Sequence, residues 1–221
     1  RTNNNYNLPY DYGSIMHYAG NSVSRNGQPT MVAKTAIYQD TMGSDIVSFR
    51  DISLMNTLYG CKSRCTTNLA CQNGGFPHPR NCNICLCPAG YAGTLCNTMP
   101  VSSGCGGRLT ATTTAQTFTA TVGNGQYTVR DAFTNCYWWI VGSGTQKIEA
   151  KITRYDRNAC TSGCVYGGVE MKWHTDKSLT GSRYCCPDDV NQVVTTTSSI
   201  LPIIGYNRYG KETFTVTYRL V

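Results

Sequence analysis

The sequence predicts a mostly β, multidomain chain, and three observations predict it. The 13 cysteines among 221 residues are unevenly placed, with none in residues 1–60, seven in 61–96 and six spread over 105–221. The last of these segments alternates polar and apolar residues with the period of two that marks half-buried strands. A single stretch near residue 50 carries the helical period instead. The expected order is a loop-rich segment ending in one helix (1–61), a small disulfide-rich module (62–97), a polar linker (98–104) and a β-sandwich (105–221).

Composition narrows the setting. So many cysteines are rare where thiols are kept reduced, so a secreted, disulfide-stapled chain is expected. An intracellular zinc-binding regulator would need free thiols. The cysteine count is odd, so one thiol is free, is paired with another chain, or has a partner outside this sequence. No apolar run is long enough to span a membrane. Residues 1–5, RTNNN, are neither an initiator Met nor a signal peptide. No Asn-x-Ser/Thr acceptor is present.

The net charge of +7 is uneven. Residues 1–60 balance, Lys62, Arg64 and Arg80 stand without an acid in the middle module, and the rest adds about four more. The excess suits acidic matrix or carbohydrate partners, although its scatter equally serves solubility. No basic-aromatic stripe points to nucleic acid.

In the first segment, Asn7-Leu8-Pro9 and Asn26-Gly27-Gln28-Pro29 are turn signals. Ser48 is placed to cap a helix, with Asp51 three residues on to reach back to the free amides. Ile52, Met55 and Tyr59 fall on one face beside Leu54 and Leu58, which reads as a packed core helix. Gly60 ends it.

In the third segment, residues 213–220 alternate without error and put Phe214, Val216, Tyr218 and Leu220 on one face. Residues 147–153 do the same. Residues 137–141 and 193–197 are β-rich. Short strands at this spacing with Gly-containing turns indicate a sandwich. Trp138, Trp139 and Trp173 read as core residues. Tyr206, Arg208 and Tyr209 have the composition of an exposed contact patch or of a polar turn.

The stretch Ser14-Ile15-Met16-His17-Tyr18 resembles the Met-turn of the astacin family of zinc metalloendopeptidases. Three further pieces follow in that family's order: residues 26–31, NGQPTM; Met42-Gly43; and residues 48–61, SFRDISLMNTLYGC. The resemblance implies a partial metzincin C-terminal subdomain of loops plus one helix, and zinc-assisted peptide hydrolysis. In that family the metal is held by a HExxHxxGxxH helix upstream of the Met-turn, and no such helix precedes Tyr10 here. The chain is therefore expected to be a C-terminal fragment of a protease.

By resemblance, Met16 is the apolar floor beneath the metal. Tyr18 is the phenol that can ligate the resting zinc and then donate to the oxyanion. His17 reads as a packing residue. The three histidines, His17, His78 and His174, lie in different segments, so this chain alone is expected to hold no catalytic zinc and to cleave nothing. The cofactor belongs to the full-length parent. The resemblance also implies that Cys61 bonds to a cysteine upstream of Arg1, which leaves it unpaired in this fragment.

Cys65, Cys71, Cys82, Cys85, Cys87 and Cys96, with Cys71-Gln72-Asn73-Gly74-Gly75 and the CxCxxGYxGxxC ending at 85–96, resemble an EGF-like module. Spacing alone leaves 15 connectivities open. The family pattern implies Cys65–Cys82, Cys71–Cys85 and Cys87–Cys96. A zinc cluster of Cys82, Cys85 and Cys87 would leave the glycines without a use. No acid precedes the module, so calcium is not expected there.

Cys105-Gly106-Gly107, the stretch at 135–140 and the CVYGGVEM of residues 164–171 resemble a CUB domain, an extracellular sandwich that contacts proteins or carbohydrate. Its first bridge would be Cys105–Cys136. Cys185 and Cys186 are neighbours and should each reach back, one to Cys160 and one to Cys164, with the choice left open. Many CUB domains hold calcium through two acids. Gly167 and the Tyr206-Asn207 pair stand in their places, so calcium binding is not expected here either.

These resemblances imply a secreted astacin-like metalloendopeptidase of the nematode type. It would act on extracellular proteins or matrix and carry EGF-like and CUB modules for targeting. The alternative is a non-catalytic extracellular binding or adhesion protein that retains those modules beside a decayed peptidase remnant.

Overall fold

Ser48 opens the single α-helix among the described residues, α1 (Phe49–Leu58), through a capping box. The Ser48 hydroxyl accepts the Asp51 amide at 3.1 Å and the Asp51 carboxylate accepts the Ser48 amide at 2.9 Å. Gly60, at φ 63°, turns the chain away behind it. The computed structural model describes residues 4–66, 68–156 and 159–221. Of the opening RTNNN stretch, only Asn4 and Asn5 are among them.

The helix is not the core element its periodicity suggests. Ile52, Met55, Leu58 and Tyr59 are 38, 49, 51 and 71% exposed. Ser53 is its buried residue, and its hydroxyl accepts the Lys62 ammonium at 2.8 Å. Periodicity reports that an apolar face exists. It does not report that something within the same chain covers that face.

The small module is a hairpin of β1 (Phe76–His78) and β2 (Asn81–Leu86). Disulfides Cys65–Cys82, Cys71–Cys85 and Cys87–Cys96 cross it. Its own core is little more than Cys85, Tyr91 and Cys96, and Trp139 of the next segment completes it. A unit this small depends on its bridges, each worth about 2–4 kcal/mol. The connecting residues lie against their neighbours. Ala92 and Thr98 form an isolated bridge, and the Ser102 hydroxyl accepts the Tyr137 amide at 3.0 Å.

Residues 105–221 form a two-sheet sandwich. Its strands are β3 (Gly107–Thr110), β4 (Gln116–Gln126), β5 (Thr134–Val141), β6 (Ile148–Asp156), β7 (Gly167–Met171), β8 (Ser182–Tyr184), β9 (Val193–Thr195), β10 (Ile200–Asn207) and β11 (Gly210–Leu220). One sheet has the order β3-β5-β10-β7-β8 and the other β4-β11-β6-β9. Neighbouring strands are antiparallel except for the parallel pair β3 and β5. The alternation in β11 buries Phe214, Val216, Tyr218 and Leu220 against Ile148, Ala150 and Ile152 of β6 and the inner side chains of the other sheet. Cys105–Cys136, Cys160–Cys186 and Cys164–Cys185 staple it.

Pro202 sits in β10, the middle strand of five, where proline is disfavoured. Its carbonyl accepts the Lys172 amide at 3.0 Å, just past the end of β7 at Met171. The side on which proline lacks a donor therefore faces a strand that has already ended.

The five-stranded sheet has no solvated outer face of the usual kind. Tyr137, Ile204, Glu170 and Arg183 are cross-strand partners in one row, and Trp139 faces Pro202 in another. The small module covers the apolar end: Tyr91 packs on Trp139 with ring centroids 5.4 Å apart, and Trp139 Nε1 donates to the Gly90 carbonyl at 2.8 Å. The first segment covers the charged end. Trp138 lies in the sandwich core, whereas Trp139 belongs to the junction.

Tyr206, Arg208 and Tyr209 are not an exposed patch. Tyr206 is buried beside Phe133 and the Arg183 guanidinium. Arg208 pairs with Asp45 and lies over Phe133. Tyr209 packs on Tyr127 and Tyr166. The β10–β11 turn is roofed by the first segment and by neighbouring loops.

Candidate functional site

The turn at residues 10–18 is built on two carboxylates. Asp51, already engaged in capping α1, also accepts the Ser14 hydroxyl at 2.6 Å and the Ile15 amide at 3.1 Å. The Ser14 hydroxyl in turn accepts the Met16 amide at 3.1 Å. One side chain thus ties the turn to the helix N-terminus. Asp11 is the second anchor. It accepts the Gly13 amide at 3.2 Å, and from the sandwich it takes both the Thr180 amide and the Thr180 hydroxyl at 3.2 Å.

An aromatic row runs from the turn into the sandwich. Tyr10 hydrogen-bonds His17 Nε2 and meets Tyr12 edge-on. Tyr12 stacks on Tyr38 at 4.8 Å and Tyr38 on His174 at 5.6 Å. His174 lies 3.9 Å from Trp173, centroid to centroid. Trp173 is therefore partly a junction residue, packed against Tyr38 as well as the sandwich core. Burial pushes the Tyr38 phenol well up, with Glu170 adding to the effect. Burial and then Lys177 hold the His174 imidazole low, so its ring stacks in neutral form near pH 7.

Met16 and Tyr18 project from the turn and are 82 and 76% exposed. Beside Met16 lies an open hollow of about 320 Å³ that includes Tyr10, Met16, His17, Arg50 and Leu54 in its lining. His17 is held by both ring nitrogens, Nε2 by Tyr10 and Nδ1 by the Tyr18 carbonyl at 2.6 Å. His78 accepts the Arg80 amide in the small module, and His174 stacks in the aromatic row. The structure brings Met16, His17 and Tyr18 together and keeps the other two histidines apart from them.

Among the described residues, the one group of three possible metal-ligating side chains is Cys185, Cys186 and Asp189. Both sulfurs are committed to disulfides. The described side chains of this chain thus do not fit a tetrahedral zinc centre. Nor do Gly167 and Asn207 fit calcium. They are register partners, but the Arg130 guanidinium donates to the Asn207 carbonyl at 2.9 Å and to its side-chain oxygen at 3.2 Å. A fixed positive charge stands where a hard cation would need oxygen ligands. The neighbouring Glu212 carboxylate is buried and accepts the Tyr155 hydroxyl at 2.7 Å.

Residues 1–60, which include the turn and α1, match the astacin family of peptidases. The chain belongs to the astacin family through this segment. Zinc metalloproteinase nas-31 of Caenorhabditis elegans is 50% identical over 222 residues, which are all of this chain and 36% of that protein. Nas-32 of the same organism is 40% identical over 97% of this chain and 33% of its own length. Nas-17 is 37% identical over 97% and 49% respectively. The chain thus spans about a third to a half of the length of these relatives. Among solved structures, the CUB1-EGF-CUB2 domain of human MASP-1/3 overlaps 72% of this chain and 57% of its own, at 16% identity and a TM-score of 0.37.

Sequence reasoning singled out Met16, Tyr18 and the Ser48–Asp51 cap of this astacin segment. It missed Asp11, Thr180, Arg183 and Thr41. Asp11 with Thr180, and Thr41, whose hydroxyl accepts the Arg183 amide at 2.9 Å, are pairs more than 120 positions apart in the chain and carry no local pattern. The one hint was Gly13, whose lack of a side chain admits Thr180.

Proposed function

We propose that this chain is the downstream part of a secreted, astacin-like zinc metalloendopeptidase that cleaves extracellular proteins. Residues 62–97 would be an EGF-like module and residues 105–221 a CUB-like domain. The observation that carries this reading is the 50% identity, maintained along the whole chain, to a longer protein named as a zinc metalloproteinase. An upstream segment would supply the metal ligands, and Tyr18 would face the metal from the turn.

The exposed apolar surface supports the reading. Met16 and Tyr18 on the turn, and Ile52, Met55 and Leu58 on α1 with Tyr59 at its C-cap, are uncovered within this chain. An upstream half-domain would cover them. Cys61, the one free cysteine among the described residues, would then have a partner there. The remaining twelve cysteines all lie in intrachain bridges, which suits an oxidising compartment.

The test compares this chain with the full translated gene product. The longer protein is expected to bind one zinc and to hydrolyse a protein substrate. The 221-residue chain is expected to bind no stoichiometric zinc and to cleave nothing. If the natural transcript instead begins near Arg1 behind a signal peptide, with no zinc-ligand motif, the chain is a non-catalytic EGF/CUB-type binding protein.

A further inference from the structure

We propose that the sandwich is a positioning element for the turn that carries Tyr18, acting from Thr180 through Asp11. As far as Tyr18 is concerned with catalysis, this rests on the peptidase reading above. The positioning itself does not.

A flexibly tethered targeting module would touch the peptidase segment little. Here residues of the sandwich bond to the first segment at Asp11, Thr41, Ser44, Asp45 and Arg50, and the Asp11 contact lies in the turn. Asp11 opens the turn and directs its carboxylate to the Gly13 amide inside it and to the Thr180 amide and hydroxyl outside it. Gly13 is buried, and a Cβ there would run into the Thr180 side chain. Two residues past the turn's Asp11 anchor, the backbone is thus pressed directly on the sandwich. The loop that presents Thr180 is itself fixed. The Asp176 carboxylate caps the Ser178 amide at 3.0 Å and pairs with Arg50 of α1. Lys172 Nζ donates to the Leu179 carbonyl at 2.8 Å. His174 of the same loop stacks on Tyr38, which stacks on Tyr12 of the turn.

Asp51 holds the turn from the other side, through Ser14 and Ile15. The turn is therefore clamped between α1 and the sandwich. The first segment has few apolar residues of its own to hold it, chiefly Ala33, Tyr38 and Met42, with Trp173 of the sandwich packed against them. Thr180 is thereby a positioning residue. It does not face the hollow beside Met16 and touches no reacting group.

The experiment uses the intact chain and its longer gene product. In the chain, hydrogen exchange at the amides of residues 13–17 reports the turn without reference to activity. Thr180→Val keeps the side-chain shape and removes the hydroxyl donor. It should speed exchange there about fivefold, the equivalent of one ordinary hydrogen bond. Asp11→Ala should speed it further. Thr180→Ser should restore the wild-type rates. Amides in β7 and β10 should not change, which shows that the sandwich is intact. In the longer protein, Thr180→Val should lower kcat several-fold with KM near its wild-type value, and Thr180→Ser should recover it.

Unchanged exchange at 13–17 in both Thr180→Val and Asp11→Ala, with β7 and β10 protected, would overturn the proposal. Faster exchange in a longer protein that cleaves nothing would leave the positioning intact and sink the peptidase reading. Full catalysis in Thr180→Val with unaltered exchange would do the reverse.

Discussion

Arg183 is 3% exposed, yet its charge is satisfied. Nε donates to Glu170 at 3.0 Å, one Nη donates to the Ser44 hydroxyl, and its amide donates to Thr41 at 2.9 Å. Glu170 also accepts the Gly181 amide at 2.9 Å and sits 3.9 Å from Lys172 Nζ. Two cations and one anion share this buried site, so the carboxylate is the critical member. Glu170→Ala should destabilise the chain by about 3–5 kcal/mol, because it strands buried positive charge. Glu170→Gln should cost less by keeping the bond to Gly181. Denaturant titration of both variants checks this. Cys61 makes a contrasting residue-scale case. It is partly exposed and free, so an alkylating reagent should label one cysteine in the unreduced chain, at Cys61. Cys61→Ser should leave the melting temperature of this chain within about 2 °C, as expected for a change outside the core.

At the scale of elements, α1 shows where local chemistry suffices. Its cap, its first-turn acid and its stop are all nearest-neighbour effects, and each was legible. Asp51 does more than the local pattern reveals, since the same carboxylate also holds Ser14 and Ile15. Ser48→Ala should therefore cost only what an ordinary cap contributes, about 1 kcal/mol. Asp51→Ala should cost more and should loosen the turn at 14–16, which hydrogen exchange can separate. Met55→Lys, on the uncovered stripe, should change the stability of this chain by less than about 0.5 kcal/mol. The strands divide in the same way. Those with unbroken alternation, such as β11 and β6, were legible. Strand β10 was not, because Pro202 argues against a central strand unless one knows that β7 stops beside it. The short strands β3, β7 and β8 carry too few residues for a period to show.

At the scale of the whole molecule, two buried carboxyl groups set the pH response. Burial pushes Asp189 up to about 7, with Asp40 adding to the shift against the Cys185 and Cys186 amides that hold it down. Burial likewise raises Glu212 to about 7, opposed by the Tyr155 hydrogen bond. Both folded values lie above the unfolded ones, so the folded state holds protons that the unfolded state releases. The stabilisation is full below about pH 4 and is lost as pH rises through about 7. Lys177, lowered to about 8 by burial, stays mostly charged across that window, and His174, held low by burial, opposes the fall with one proton against the two of the carboxyl groups. The melting temperature should thus fall between pH 4 and 7, and Glu212→Gln should flatten part of that fall. A profile that climbs over the same range would contradict this. The same scale explains the sheet face that carries both other segments. Trp139→Ala should loosen the small module from the sandwich, because it removes the packing on Tyr91 and the bond to Gly90. Exchange at residues 88–98 measures that directly.

The three-segment order, the capped helix, the alternating strands and the motif that marks Met16 and Tyr18 are readable from the residues alone. These are set by neighbours within a few positions, where propensity, period and capping act. How Cys160, Cys164, Cys185 and Cys186 pair, that the apolar stripe of α1 lies open, and that one sheet face is divided between two other segments emerge only in the folded chain. Only there does Thr180 meet Asp11. Those outcomes depend on side chains far apart in the chain meeting away from water, and no local pattern encodes such a meeting.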